Sequence, residues 1–115
     1  MLIKRFADAK AYEAPNHVDI RTLRLQGFEP GGPDAFWVGL SHILPGGGAG
    51  PDTGALEKVY VVLAGEVTII AEGQTQVLRP LDSVRIGPHI ERAVRNAGNQ
   101  VASMLVVMPY PPKQG

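Results

Sequence analysis

The sequence predicts an all-β fold, a jelly roll or small β-barrel forming one domain over residues 1–115. Three observations carry this expectation. A chain of 115 residues is long enough for one hydrophobic core and too short for two. Its 10 prolines and 14 glycines fall between short apolar runs, as many tight turns require. Those runs number about eight or nine, evenly spaced, and several alternate as antiparallel strands with one buried face do.

The elements follow in order. Phe6–Pro15 reads as one helical turn or as irregular chain, which Pro15 ends. "HVDIRTLRLQG" is a strand with Val18, Ile20 and Thr22 on one face. Leu23 and Leu25 then lie on the other, which implies a bend or bulge near Thr22. "FEPGGPDA" is a loop. Phe36–Leu44 is a strand with Val38, Leu40, His42 and Leu44 on one face. Pro45–Gly54, containing "GGGAG", reads as a loop forming a flexible rim. A phosphate cradle is a weaker reading, because a strand rather than a helix N-terminus follows. "EKVYVVLAGEVTII" is two strands folded at Ala64-Gly65-Glu66, and Glu72–Gln74 is a further hairpin turn. "TQVL", "SVRI", "ERAVRN" and "QVASMLVVM" are the remaining strands. The barrel proper spans about 36–108, flanked by the N-terminal strand and an extended proline-rich tail, "PYPPKQG".

Composition excludes several classes. Charge is balanced, 11 Lys and Arg against 11 Asp and Glu, so no basic field attracts nucleic acid. With no cysteine, disulfides, thiolate catalysis and Cys-bound zinc are ruled out. Met1–Lys10 has no apolar signal core. The most apolar stretch, Val59–Ala71, is interrupted by Gly65 and Glu66 and is too short to span a bilayer. A soluble, cytoplasmic protein without nucleic-acid or membrane partners is expected.

"LPGG", "EKVYVVLAGEVTI", the Asp of "LDSVRI" and "IGPHIERAVRN" together resemble the cupin family over roughly Val38–Met108. That family carries two motifs, G-x5-H-x-H-x3/4-E-x6-G and G-x5-P-x-G-x2-H-x3-N, on a jelly-roll barrel. Counted back from Gly65, the family's glutamate falls on Lys58. Its two histidines fall on Asp52 and Gly54, or on Pro51 and Thr53 with the longer spacing. In the second motif Asn96 matches, but the histidine falls on Arg92, the glycine on His89, the proline on Gly87 and the opening glycine on Leu81. A metal-binding cupin holds its ion with three imidazoles and a carboxylate. Two of those positions here carry cations that would repel one. No metal and no other cofactor is therefore expected. A slip of one residue would instead turn Glu57 inward, since neighbours on a strand face opposite ways. Glu57, His42 and His89 would then form a rebuilt metal site.

If Lys58 points into the barrel, so do Tyr60 and Val62; if Arg92 does, so do Val94 and Asn96. An ammonium, a guanidinium and a phenol among apolar walls suit a small organic anion. The plain alternative is that both cations are solvated or paired with Asp52, Glu57, Asp82 or Glu91. His42, on an apolar face, is a satisfied core residue or, if inside near Tyr60, a general base. His89 lies in a turn near the mouth, as a surface or lid residue, and His17 is expected to be exposed. Of Phe36 and Trp37 one faces inward, and the other packs in the core or under a dimer partner. The resemblance implies a homodimer.

Three functions follow. One is a metal-independent isomerase, lyase or decarboxylase. In it Lys58, Arg92, Trp37, His89 and Asn96 bind the small-molecule ligand, and His42, Tyr60 and Asp52 move protons. A second is a binding or sensing module with the same pocket. A third is a metal-dependent, dioxygenase-like cupin with the rebuilt site.

Overall fold

In the computed structural model, which describes residues 1–112, a 3-10 turn (Phe6–Asp8) is followed by nine strands. These are β1 (Lys10–Tyr12), β2 (His17–Gln26), β3 (Phe36–Thr53), β4 (Lys58–Ala64), β5 (Val67–Ala71), β6 (Gln74–Leu78), β7 (Ser83–Ile86), β8 (Glu91–Arg95) and β9 (Ala102–Pro109). Paired strands are antiparallel, in the order β6-β5-β8-β3-β9-β4-β7, with β2 added to β3 and β1 to β2. This is the expected jelly-roll barrel, almost closed, with β6 and β7 at the two ends of the ladder. Ile43, Val62, Val67 and Val94 fill its core. Among the described residues no helix is long and apolar enough to cross a membrane. The last residues of the proline-rich tail, 113–115, lie outside the described residues.

Short apolar alternation locates most strands. Lys58, Tyr60 and Val62 are buried while Val59 and Val61 are half-buried on the other side of β4. The hairpin joining β5 and β6 turns at Glu72 and Gly73, both at positive φ, the geometry that suits a two-residue turn. Two expectations at the N-terminal side need revision. The helical turn before Pro15 exists, but β1 follows it and pairs with β2 through Tyr12↔Thr22. Three residues are too few for alternation to reveal a strand. In β2 the irregularities lie between Val18 and Ile20 and between Arg24 and Gln26, on either side of Thr22 rather than at it. Thr22 and Leu23 are both buried: Thr22 lies between Tyr12 on β1 and Ser41 on β3, with its hydroxyl donating to the Tyr12 carbonyl, and Leu23 lies between Ala11 and Leu40.

The largest correction concerns Pro45–Gly54. It is not a flexible rim: β3 runs unbroken through it to Thr53. The first half of β3 pairs with β9, from Phe36↔Pro109 to Ile43↔Ala102. The second half leaves β9 and pairs with β8, through Gly48↔Arg95, Ala49↔Val94 and Asp52↔Arg92. Gly47, Gly48 and Gly50 serve close approach, while Gly46 supplies a positive φ. A Cβ on Gly48 would stand 2.1 Å from the Val94 carbonyl oxygen, and one on Gly50 2.5 Å from that of Arg92. Glycine usually signals a turn, but here it lets a strand change partners within a crowded barrel.

Asn96 holds this corner. Its backbone N–H donates to the Gly47 carbonyl (2.9 Å), and its carbonyl accepts from Gly46 N–H (2.8 Å). The side-chain Nδ2 donates to Ile43 O (2.9 Å) and Gln100 O (2.7 Å), while Oδ1 accepts from Gly98 N–H (2.9 Å). At 2% exposure, every polar atom of its side chain is engaged with backbone.

Replacing Gly48 with Ala is expected to cost about 2 kcal/mol through overpacking, a fall in melting temperature of roughly 10 °C. Gly46→Ala faces open space and only a positive φ, and is expected to cost about 1 kcal/mol. Thermal unfolding of the two variants, followed by circular dichroism, checks the order.

Candidate functional site

The barrel encloses a cavity of about 200 Å³. Its walls are mostly apolar: Trp37 and Ile43 from β3, Val94 from β8, and Met104, Val106 and Met108 from β9. One polar cluster breaks them, built from Asp52 on β3, Lys58 and Tyr60 on β4, and Arg92 on β8. Tyr12, Ala14, Pro15 and His17 close another side from the N-terminal segment.

Strand parity puts the cations inside. Lys58 and Tyr60 are two residues apart and share the inward face of β4, as Arg92 and Val94 do on β8. Lys58 and Arg92 are each only 8% exposed. Arg92 Nε donates to the Tyr60 hydroxyl at 2.7 Å. Its Nη1 lies 3.7 Å from Asp52 Oδ2, is buried, and has no hydrogen-bond partner. Asp52 is half exposed and is oriented by Asn16, whose Nδ2 donates to Asp52 Oδ1 (3.2 Å) and to the Pro51 carbonyl (3.1 Å). Lys58 has no ion pair and no side-chain hydrogen bond among the described residues.

Burial governs how these groups hold protons. It lowers the Lys58 ammonium below its usual range; the Arg92 charge lowers it further and Asp52 partly opposes both. Burial raises the Tyr60 phenol, against the charge and hydrogen bond of Arg92, with Asp52 adding to the rise. Tyr12 is raised by burial too, with Arg24 opposing and Tyr60 adding.

Of the residues singled out in the sequence, the structure gathers Asp52, Lys58, Tyr60, Arg92 and Trp37 around one cavity. Three others lie elsewhere. His42 faces the outer side of β3, because the inward positions are Trp37, Ser41 and Ile43; its Nδ1 meets Ser103 Oγ at 2.9 Å. His89 is exposed in the turn before β8, where its N–H donates to the Gly54 carbonyl. Asn96 is consumed by the β3 corner. Missed by the sequence were Tyr12, Ser41 and His17, which is half-buried against the cavity with Nδ1 2.7 Å from Pro15 O. The inward parity of Trp37 would have found Ser41. His17, expected to be exposed, is half-buried because β2 pairs with β3 at His17↔Ala49, and Tyr12 carried no signal, since its place depends on β1 pairing with β2.

The register slip does not occur. Glu57 lies on the solvent side of the strand entrance, paired with Arg85, and Lys58 takes the inside. Glu57, His42 and His89 thus do not converge. The residues at the family's metal positions do not fit a divalent ion either. Asp52 is the one carboxylate among the described residues lining the cavity, and the ammonium and guanidinium beside it would repel the ion.

The cupin domain family matches residues 39–108, well over half of the chain. The chain is a cupin. A curated relative from Mycobacterium tuberculosis, named β-D-galactosidase, is 41% identical over 111 residues, covering 96% of each chain. Among solved structures, the polyketide cyclase RemF from Streptomyces resistomycificus superposes with a TM-score of 0.84 at 24% identity, over 97% of this cupin and 82% of that chain. An RmlC-like cupin from Shewanella frigidimarina superposes at 0.78 with 12% identity, over 96% of this chain and 92% of its own. At those identities the two structures speak to the fold alone.

Because the folded state depresses the Lys58 pKa, the unfolded chain binds more protons between that value and 10.5. Stability therefore rises with pH through that window. Tyr60, raised by folding, acts in the opposite sense above 10.0. Lys58→Met is expected to stabilise this cupin at neutral pH by about 1–2 kcal/mol. The gain should shrink as pH approaches 10, which urea titrations at several pH values would record.

Proposed function

We propose that this cupin binds a small organic anion, a carboxylate or phenolate with an apolar body, and acts on it by acid–base chemistry without a metal, as an isomerase, lyase or decarboxylase would. The observation that carries the reading is the buried Arg92 Nη1 without an acceptor, beside an apolar cavity. A buried charged donor without a hydrogen-bond acceptor is costly, even with a carboxylate at ion-pair distance, and a ligand oxygen would satisfy it. Lys58 and Arg92 against Asp52 leave one net positive charge in the polar cluster, matching a monoanion. The cavity, about 200 Å³, is below the roughly 300–1,000 Å³ of drug-sized sites, which favours a small metabolite.

The polar groups divide the work. Arg92 grips the anion and Lys58 balances charge that develops as an enolate or carbanion forms. Tyr60 accepts from Arg92 Nε, so its own hydroxyl proton is free to donate, and its raised pKa keeps that proton in place at neutral pH. Asp52, half exposed at the cavity and held by Asn16, is the proton acceptor. Trp37 packs edge-on to Tyr12 at 5.6 Å and offers a flat wall to the apolar body.

A second reading comes from the relative named β-D-galactosidase: hydrolysis of a galactoside. Most glycosidases use a pair of carboxylates, and only Asp52 supplies one among the described cavity residues, so Tyr60 would have to serve as the acid.

Thermal-shift titration with benzoate and 3-phenylpropionate should raise the melting temperature, and Arg92→Lys, which loses the planar fork, should weaken binding roughly 10- to 100-fold. Release of nitrophenol from nitrophenyl β-galactoside, abolished by Asp52→Asn and accompanied by no response to either carboxylate, would replace this reading with the second.

A further inference from the structure

Lys58 is the one cavity cation whose charged group serves no contact in the fold. The Arg92 guanidinium is anchored by Tyr60 and Asp52. Lys58 is only 8% exposed as a residue, lines the cavity, and has no ion pair or side-chain hydrogen bond among the described residues. Its Nζ lies beside Gly54, where even a Cβ would come within 3.1 Å. A larger side chain there would crowd the amine, and glycine keeps its approach open. Burial beside a second cation, with the half-exposed Asp52 opposing only in part, is the setting in which a lysine amine becomes available as a nucleophile.

We propose that Lys58 forms a Schiff base with the ketone of a small oxo acid, whose carboxylate is held by Arg92. This deepens the anion-binding reading and rests on it. Arg92 on β8 and Lys58 on β4 stand in one cavity, on strands separated in the sheet by β3 and β9. A ligand carrying a carboxylate and a ketone, one or two carbons apart, meets both requirements at once. The amine nitrogen adds to the carbonyl carbon, and the carbon–oxygen double bond opens to a carbinolamine. A carbon–nitrogen double bond then forms as the oxygen leaves in water. In total, the ammonium and the ketone give an iminium and one water, with no change of oxidation state. Tyr60, whose hydroxyl proton is unengaged, can supply the departing oxygen and regain a proton from the amine. The iminium withdraws electrons from the neighbouring carbon. This is the electron sink that proton abstraction by Asp52, or loss of a carboxylate from a 3-oxo acid, requires. Low exposure and the apolar walls protect the iminium from hydrolysis.

Reductive trapping tests this on the full chain. The protein is incubated with phenylpyruvate or acetoacetate and sodium cyanoborohydride, then measured by intact mass and peptide mapping. The expected result is one adduct per chain, heavier by the mass of the acid less one oxygen, on Lys58. It should form at least about tenfold faster than at Lys4, Lys10 or Lys113. It should be slowed by 3-phenylpropionate, which has the carboxylate but no ketone. In Lys58→Arg, and in Lys58→Met should the first variant fold poorly, the rapid adduct should vanish. Slow labelling spread evenly over the lysines, or none, overturns the Schiff base. If 3-phenylpropionate still raises the melting temperature in that case, anion binding survives alone. If neither the oxo acids nor 3-phenylpropionate shift it, both readings fall.

Discussion

The corner in β3 is the constraint on which the rest depends. A strand of eighteen residues, Phe36–Thr53, serves two partners in succession, β9 and then β8. It can do so only if the chain turns sharply and the two sheets approach closely. Glycine allows the approach and Asn96 fixes the turn, using both backbone groups and the whole side-chain amide. Because of that corner, Asp52 lies directly across the ladder from Arg92. A shift of one residue there would turn Asp52 away and leave the guanidinium facing the cavity without a carboxylate. Asn96 fixes the register at Gly46 and Gly47, and the irregularity between Ala49 and Asp52 then shifts it by one residue before Asp52 meets Arg92.

Charge inside an apolar barrel is normally avoided. Here two cations are buried with one half-exposed carboxylate between them. Tyr60 and Asp52 relieve Arg92 in part, but one guanidinium nitrogen and the whole Lys58 ammonium stay without acceptors. Groups of this kind would be destabilising in a purely structural core. The family's metal positions carry positive charge belonging to the protein itself. The electrostatic need of an anionic ligand can thus be met by side chains, which unlike a metal cannot dissociate.

Much of this was legible in the sequence, and the failures have a common cause. Alternation and turn residues located every strand from β2 to β9 as a β segment, and spacing from Gly65 and Asn96 identified Lys58 and Arg92 as the cations at the family's metal positions. Parity then predicted their companions, Tyr60 and Val94, correctly, since it depends only on the pleat. Parity could not say which face of a strand is inside. His42 was therefore grouped correctly with Val38, Leu40 and Leu44 on the outer face, yet its side of the barrel stayed open. Glycine in Pro45–Gly54 was misread because its turn signal and its close-packing signal are the same residue. β1 was invisible because it is only three residues long and held by its partner. Asn96 matched a family motif but supports backbone, a distinction no spacing can make.

One wall of the cavity does not belong to the region that defines the family. The cupin match begins at residue 39, whereas Tyr12, Ala14, Pro15 and His17 reach the cavity from well before it. They arrive there because β1 folds onto β2 and the Thr22 hydroxyl donates to the Tyr12 carbonyl. The barrel's own register places Lys58, Tyr60 and Arg92, while a short appended strap shapes the opposite side and also holds the fourth member of the polar cluster: the Asn16 carbonyl accepts from Gly50 N–H, and its side chain donates to Asp52. A substitution in the strap therefore changes the shape of the cavity and the aim of Asp52 together.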